Sequence, residues 1–151
     1  KDEEGHYRAV SSSFMVSADN AHAVHPNHPE KADPVNRPMV NKGIVIKFNA
    51  AQHYTTDAVS CAVYRDLCES NDIPVQVFTS RSDTRGGSTL GNVSNAHVSM
   101  NTVDIGLAQL AMHSCYETVG ARDTKNLVDV MTVFYSKTFR VDKAGSFELV
   151  D

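Results

Sequence analysis

The residues best suited to chemistry lie between Ser11 and Asn27, where one carboxylate, Asp19, is followed by two imidazoles, His22 and His25. Carboxylate oxygen and imidazole nitrogen are donors that a metal ion accepts. Phe14, Met15 and Val16 precede them as a short apolar run that suits a buried strand, and Pro26 stops any helix from continuing. An apolar strand that ends in Asp and His delivers polar side chains to the carboxyl edge of a sheet, where open α/β proteins usually bind ligands. Plainer readings fit the same spacing. An Asp after a strand is often a turn former or helix cap, and His-x-x-His lacks the specificity of His-Glu-x-x-His.

Three further places carry candidate groups. Lys47 lies in Gly43–Asn49, where Ile44, Ile46 and Phe48 alternate against Val45 and Lys47. The lysine therefore points away from the larger apolar set, either as a solvated edge residue or as a cation for a site. Gly86 and Gly87 follow a strand and permit close backbone approach to a ligand or simply a tight turn. No Gly-Lys-Ser/Thr accompanies them, so they do not form a P-loop. His113 stands in a loop after a short strand, at the same kind of edge as Asp19.

The elements that must position these groups alternate in type. A strand over 14–16 gives way to a Pro- and Asn-rich loop over 27–43, then a strand over 43–49. Thr55 or Thr56 can cap a helix running to about Asn71, with Ala58, Val59, Ala62, Val63 and Leu67 at helical spacing. A strand over 75–79, a helix over about 89–98 capped by Ser88 or Thr89, and a strand over 102–105 follow. A last helix opens at Arg122-Asp123 with Leu127, Val130, Met131, Phe134 and Thr138 on one stripe, and residues 139–151 form a tail without a clear period. This alternation predicts an α/β fold, a mostly parallel sheet flanked by helices. Parallel strands would gather Asp19 with its histidines, the Gly-Gly loop and His113 at one edge.

Composition narrows the function. The 151 residues suffice for one ordinary domain. A net charge of −4 without a basic cluster argues against nucleic acid as a partner, and no apolar run approaches the roughly 20 residues that cross a membrane. Cys61, Cys68 and Cys115 are odd in number and form no Cys-x-x-Cys, which suits a reducing, cytoplasmic setting. Cys61 and Cys68 lie seven apart and fit one helix face as small core residues.

Several motifs together resemble the M18 aspartyl aminopeptidases, two-metal exopeptidases. They are Ser17-Ala-Asp-Asn-Ala-His-Ala-Val-His-Pro-Asn27, Asn36-Arg-Pro38, Asn41-Lys-Gly43, Lys47, Gln52-His-Tyr-Thr-Thr56, Arg81-Ser-Asp-Thr-Arg-Gly-Gly-Ser-Thr-Leu-Gly91, Thr102-Val-Asp-Ile-Gly106 and Leu110-Ala-Met-His-Ser114. The resemblance runs from about residue 8 to 138 and implies a zinc-exopeptidase-like fold. It assigns Asp19 and His113 to metal, and Lys47, Tyr54, Arg85, Gly87 and Met112 to substrate. His22 and His25 are implied to support the ligands or the assembly. A lysine in the specificity pocket suits an acidic residue at a peptide N-terminus, and a tyrosine hydroxyl can stabilise a tetrahedral oxyanion. The glycine-rich loop reads Thr-Arg-Gly-Gly where some members have Thr-Pro-Cys-Gly, so Arg85 is either a subgroup feature that reaches a substrate carboxylate or a solvated loop residue.

The resemblance further implies two zinc ions per site, with manganese or cobalt as alternatives, peptides with N-terminal Asp or Glu as substrates, and self-association into a dodecamer. A catalytic zinc takes about three protein ligands, and a two-metal site needs a bridging carboxylate. The family places its other His, the bridging Asp and the paired Glu residues, one of them the general base, upstream of the Ser-Ala-Asp motif. The sequence, which opens without Met, is therefore expected to be a C-terminal segment (1–151) of a catalytic domain. The family's dimerisation domain and N-terminal half are then absent from it. On that expectation the isolated chain is inactive, either a half-site or a non-catalytic assembly module.

Overall fold

The computed structural model describes residues 2–142 and 146–150. Its centre is a four-stranded sheet ordered β1-β5-β3-β4, built from β1 (Phe14–Ala18), β3 (Ile44–Phe48), β4 (Val75–Thr79) and β5 (Asn101–Gly106). β1 pairs with β5 and β3 with β4 in parallel, whereas β3 meets β5 antiparallel, Val45 lying opposite Gly106. The α/β expectation holds, and two of these three pairings are parallel. The sheet is nevertheless mixed, so β1 and β5 end at the edge opposite to that of β3 and β4. A shared carboxyl edge is therefore not what gathers the polar clusters.

A bend gathers them instead. Past Ala18 and Gly106 the paired strands β1 and β5 turn and continue as a second parallel pair, β2 (Ala21–His22) and β6 (Ala108–Leu110). β7 (Thr118–Val119) adds to β6 antiparallel. Ala21 and Ala108 then pack on Val45, with Ala23 and Phe78 beside them. The turned ribbon thus lies over the sheet face that carries Val45 and Lys47. Gly106 permits the turn, because a Cβ there would stand 2.0 Å from the Asp19 carbonyl oxygen.

The other face carries the main core. Ile44, Ile46, Val103 and Ile105 pack with Tyr64, Leu67 and Cys68 of α2 (Ala58–Glu69) and Val130 of α4 (Ala121–Ser136). Alternation along β3 predicted this division, and Lys47 does face the other way. It is not a solvated edge residue, since its side chain is 1% exposed.

The helix starts differ from expectation. The cap of α2 is Asp57, which accepts from the Ser60 amide at 2.8 Å while its own N–H donates to Ser60 Oγ at 3.0 Å. Thr55 and Thr56 are spent elsewhere, on Asp104. At α3 (Leu90–His97) Thr89 does hold the expected cap position, although its hydroxyl goes to Asp104 rather than to the helix. At α4, Asn41 Oδ1 accepts from the Arg122 amide at 3.0 Å, and the buried Asp123 accepts from the Asn41 and Gly43 amides at 2.6 and 2.8 Å. The end of the Pro-rich loop and the helix therefore cap one another.

Two elements carry no clear sequence period. α1 (Glu3–Ser11) starts at Asp2, whose carboxylate accepts from the Gly5 amide, and buries none of its residues. The tail is a hairpin of β8 (Thr138–Val141) and β9 (Phe147–Val150), so Thr138 lies outside α4. Phe139 sits 5.1 Å from Phe14 and Leu149 joins the main core. Positions 143–145 and 151 of the expected tail lie outside the described residues.

Cys68 is buried in this core, Cys61 half-buried and Cys115 exposed. Burial, with Glu69 nearby, pushes the Cys68 thiol up to about 12. An unfolded chain releases that proton near 8.5, so the associated stability is whole below about pH 8.5 and is lost as pH climbs towards 12. Cys68→Ala should flatten that alkaline decline in denaturation midpoint, and native thiol labelling near pH 8 should mark Cys115 and spare Cys68. Equal labelling of the two would contradict the buried placement.

Candidate metal and substrate site

The turned ribbon, the ends of β3 and β4 and four loops line a cavity of about 440 Å³. Asp19, His22, His25, Lys47, Tyr54, Arg85, Gly87, Met112 and His113 all line it. The motifs thus meet in space, although they are distributed over most of the sequence.

Lys47 is the buried centre of the wall. Its Nζ donates to the Asp19 carbonyl oxygen at 2.8 Å, stands 3.9 Å from the Asp19 carboxylate and lies 5.0 Å from the centre of the Tyr54 ring. Desolvation lowers the lysine pKa, opposed by the negative charges of Asp19 and Asp104. Desolvation raises the Tyr54 phenol, and Asp104 and Asp19 raise it further against a hydrogen bond involving Ser80. Tyr54 therefore keeps its proton at neutral pH. The ring is wedged edge-on against Phe78, which fixes where the hydroxyl can reach.

The histidines differ in role. His22 is exposed by surface area, yet partial desolvation by its neighbours lowers its pKa, with the His113 and Lys47 charges acting the same way. His25 turns Nδ1 to the Asn27 amide at 3.2 Å and lies against His28. His113 and Ala111 both have left-handed backbone, with φ 67° and 55°. Such conformations cost about 1 kcal/mol or more for residues other than glycine and concentrate at functional sites. The His113 amide is tied to Glu117 Oε1 at 2.6 Å.

The lining as a whole is more cationic than anionic. Lys31, Lys47, Arg81 and Arg85 line the cavity against Asp19 and Asp33. Arg81 forks onto Asp83 and donates to the Glu30 carbonyl oxygen, which leaves Arg85 the less constrained guanidinium. Asp33 holds the Asn36 amide at 2.6 Å, and Asn36 Nδ2 reaches Thr79 Oγ1, pinning the Pro-rich loop to β4.

Asp19 and His113 offer the donor types of a zinc site, and the Asp19 side chain is 63% exposed, leaving its carboxylate accessible. Among the described residues, however, no three His, Cys, Asp or Glu side chains come together to hold a metal ion. The pair fits the chemistry of such an ion but falls short of the usual three ligands. One residue carried a signal that spacing arguments passed over. Asp104 stands between Val103 and Ile105 in a buried strand, and a carboxylate in such a run marks either a site or a structural tie.

Comparison with known proteins places these observations. The family model described as aminopeptidase I zinc metalloprotease (M18) matches residues 1–135. A probable M18 family aminopeptidase 2 of Clostridium novyi (strain NT) is 50% identical over 135 residues, covering 89% of this chain and 31% of that protein. The corresponding protein of Pseudomonas entomophila (strain L48) is 46% identical over 134 residues, again covering 31% of its length. The chain spans about a third of the length of the curated relatives it matches. Among solved structures, one of the Ape4 and Nbr1 complex superposes with a TM-score of 0.87 at 38% identity, over 89% of this chain and 26% of that one. The mApe1 dodecamer of S. cerevisiae superposes with a TM-score of 0.76 at 29% identity, over 86% and 28%. Among the described residues no helix is long and apolar enough to cross a membrane.

Proposed function

The chain belongs to the M18 family of zinc metalloprotease aminopeptidases, and from that premise we propose that it builds one side of an active site that removes acidic residues, Asp or Glu, from peptide N-termini. The observation that carries this reading is the single cavity, lined by all nine motif residues and by four cationic side chains against two carboxylates.

In this reading Asp19 and His113 are metal ligands, completed by residues of the natural polypeptide outside these 151, of which the present chain is the C-terminal part of the catalytic domain. Two zinc ions, or manganese or cobalt in their place, would supply Lewis-acid polarisation and an activated water. Lys47, held under the Tyr54 ring with one donor position on the Asp19 carbonyl, retains further N–H donors for the side-chain carboxylate of the substrate. Tyr54, kept protonated, donates to the carbonyl oxygen as it gains charge. Arg85 closes the cationic wall, Gly87 lets the substrate backbone approach, and Met112 supplies an apolar contact. His22 and His25 orient the neighbouring ligands or serve the assembly. Two ligands without a general base predict that the 151 residues alone do not hydrolyse peptides. The dodecamer described for mApe1 supports self-association of the complete polypeptide, which we place in the cytoplasm.

The test is a substrate panel. The natural polypeptide carrying this sequence, loaded with zinc, should cleave N-terminal Asp and Glu derivatives at least about tenfold faster in kcat/KM than the Leu derivative, as one buried charge pairing allows. Equal or reversed preference would remove the acidic specificity. Absence of turnover with every derivative would remove the aminopeptidase reading.

A further inference from the structure

Asp104 has no exposed surface, and a carboxylate withdrawn from water is costly unless its oxygens are engaged. Among the described residues it meets no cation at ion-pair distance. Its three hydrogen bonds come instead from Thr55 and Thr89, in two loops that each supply residues to the cavity lining. Oδ2 accepts from the Thr55 amide at 2.6 Å and from Thr55 Oγ1 at 2.8 Å, while Oδ1 accepts from Thr89 Oγ1 at 2.6 Å. The Asp104 N–H in turn donates to Thr56 Oγ1 at 2.8 Å. Thr55 directly follows Tyr54, and Thr89 closes the loop that carries Arg85 and Gly87.

The packing around the carboxylate is built to admit this arrangement. Gly91, in the first turn of α3, has its bare Cα towards β1, and a Cβ there would stand 2.7 Å from Ser17 Oγ and 3.0 Å from Asp104 Oδ1. A β5 residue serving only the core would be better filled by an aliphatic side chain, since buried ionised groups add little net stability. We propose that Asp104 is a positioning residue, a single buried acceptor that sets the Tyr54 loop and the Arg85–Gly87 loop at a fixed separation from one another. The geometry stands without any assignment of activity, and its kinetic consequence rests on the aminopeptidase reading.

Two substitutions separate the roles. In Asp104→Asn the amide oxygen can still accept from Thr55, and its NH2 can donate to Thr89 Oγ1, whose hydroxyl turns to accept. In Asp104→Ala all three partners are lost. Hydrogen exchange in the natural polypeptide should accelerate about tenfold or more over 50–57 and 84–91 in Asp104→Ala, with β3 unchanged. Asp104→Asn should stay close to the unsubstituted rate. In the zinc-loaded polypeptide, Asp104→Ala should lower kcat for an N-terminal Asp peptide about a hundredfold, with a smaller change in KM, because a displacement near 1 Å is enough for such a loss. Asp104→Asn should restore most of it.

Unchanged exchange in both loops, acceleration that extends equally into β3, or an Asn variant as impaired as the Ala variant would each overturn the assignment. Faster loop exchange with kcat intact would overturn the positioning role. If Asp104→Ala does not fold, Thr89→Val gives the same reading for one side, opening 84–91 and sparing 50–57. Lack of turnover by the unsubstituted polypeptide would overturn the aminopeptidase reading, and the exchange measurements would then decide the clamp alone.

Discussion

Asp19→Ala or His113→Ala in the natural polypeptide is expected to lower kcat/KM for an N-terminal Asp peptide by about three orders of magnitude or more. Bound metal contributes several kcal/mol of charge stabilisation to reactions of this class, and each 1.4 kcal/mol is about tenfold in rate. Metal content after dialysis should fall in parallel, which separates lost binding from misplaced substrate. The two sites are not equivalent in their supports. The Asp19 carbonyl remains available to Lys47 in the alanine variant, so the wall should persist and the melting temperature should move little. His113 stands on left-handed backbone, and alanine there relieves no strain, so again stability should change little while metal is lost. Full turnover with zinc retained in both variants would show that the ligands lie elsewhere.

Gly106→Ala should act on fold and site together. The added Cβ would meet the carbonyl oxygen and carbon of Asp19 and the Cα of Asn20, all within 3 Å and all backbone. No side chain can swing away to make room, so the bend joining β1 to β2 has to move. Overpacking of this kind costs about 1–3 kcal/mol, and contact with backbone alone places it near 3. For a chain of this length that lowers the melting temperature by roughly 6–12 °C. The same displacement takes the Asp19 carbonyl from Lys47 Nζ, leaving a buried ammonium without its 2.8 Å acceptor. Circular dichroism melts check the first effect, and metal affinity measured well below the melting point checks the second. A variant with an unchanged melting temperature would mean that the bend accommodates the methyl group.

Much of this arrangement was legible in the sequence, for physical reasons that differ by residue. Alternation in Ile44–Phe48 separated Lys47 from the main core because side chains of a strand point to opposite faces. It could not say whether that second face was wet, since the ribbon that covers it comes from β2 and β6, outside the strand's own pattern. The order of elements predicted helices and mostly parallel pairing, but not the antiparallel meeting of β3 with β5, which depends on where a long connection crosses. Thr55 and Thr56 had the right chemistry for a helix start and lost that role to Asp57. Their hydroxyls meet a tertiary partner, Asp104, that no local window contains. The nine residues that line the cavity were singled out by the company of their motifs. Their common cavity depends on the bend at Gly106, and a glycine at a strand end has too many uses to announce one.

The pairing of β1 with β5 also orders events in time. Phe14 waits for Asn101 as its partner, whereas β3 and β4 are joined through α2 and can associate as soon as residues 44–79 have left the ribosome. Long-range parallel pairing is slow because the loop must close before the contacts repay it. Among the described residues the partner of the strand that leads to Asp19 is β5, so on a growing chain that pairing waits until β5 is synthesised, and His113 emerges only after that. A nascent chain thus carries Asp19 without the neighbour with which it would share an ion. On the proposed assignment of Asp19 and His113 as ligands, an ion held by both is captured late, after the sheet has closed rather than before.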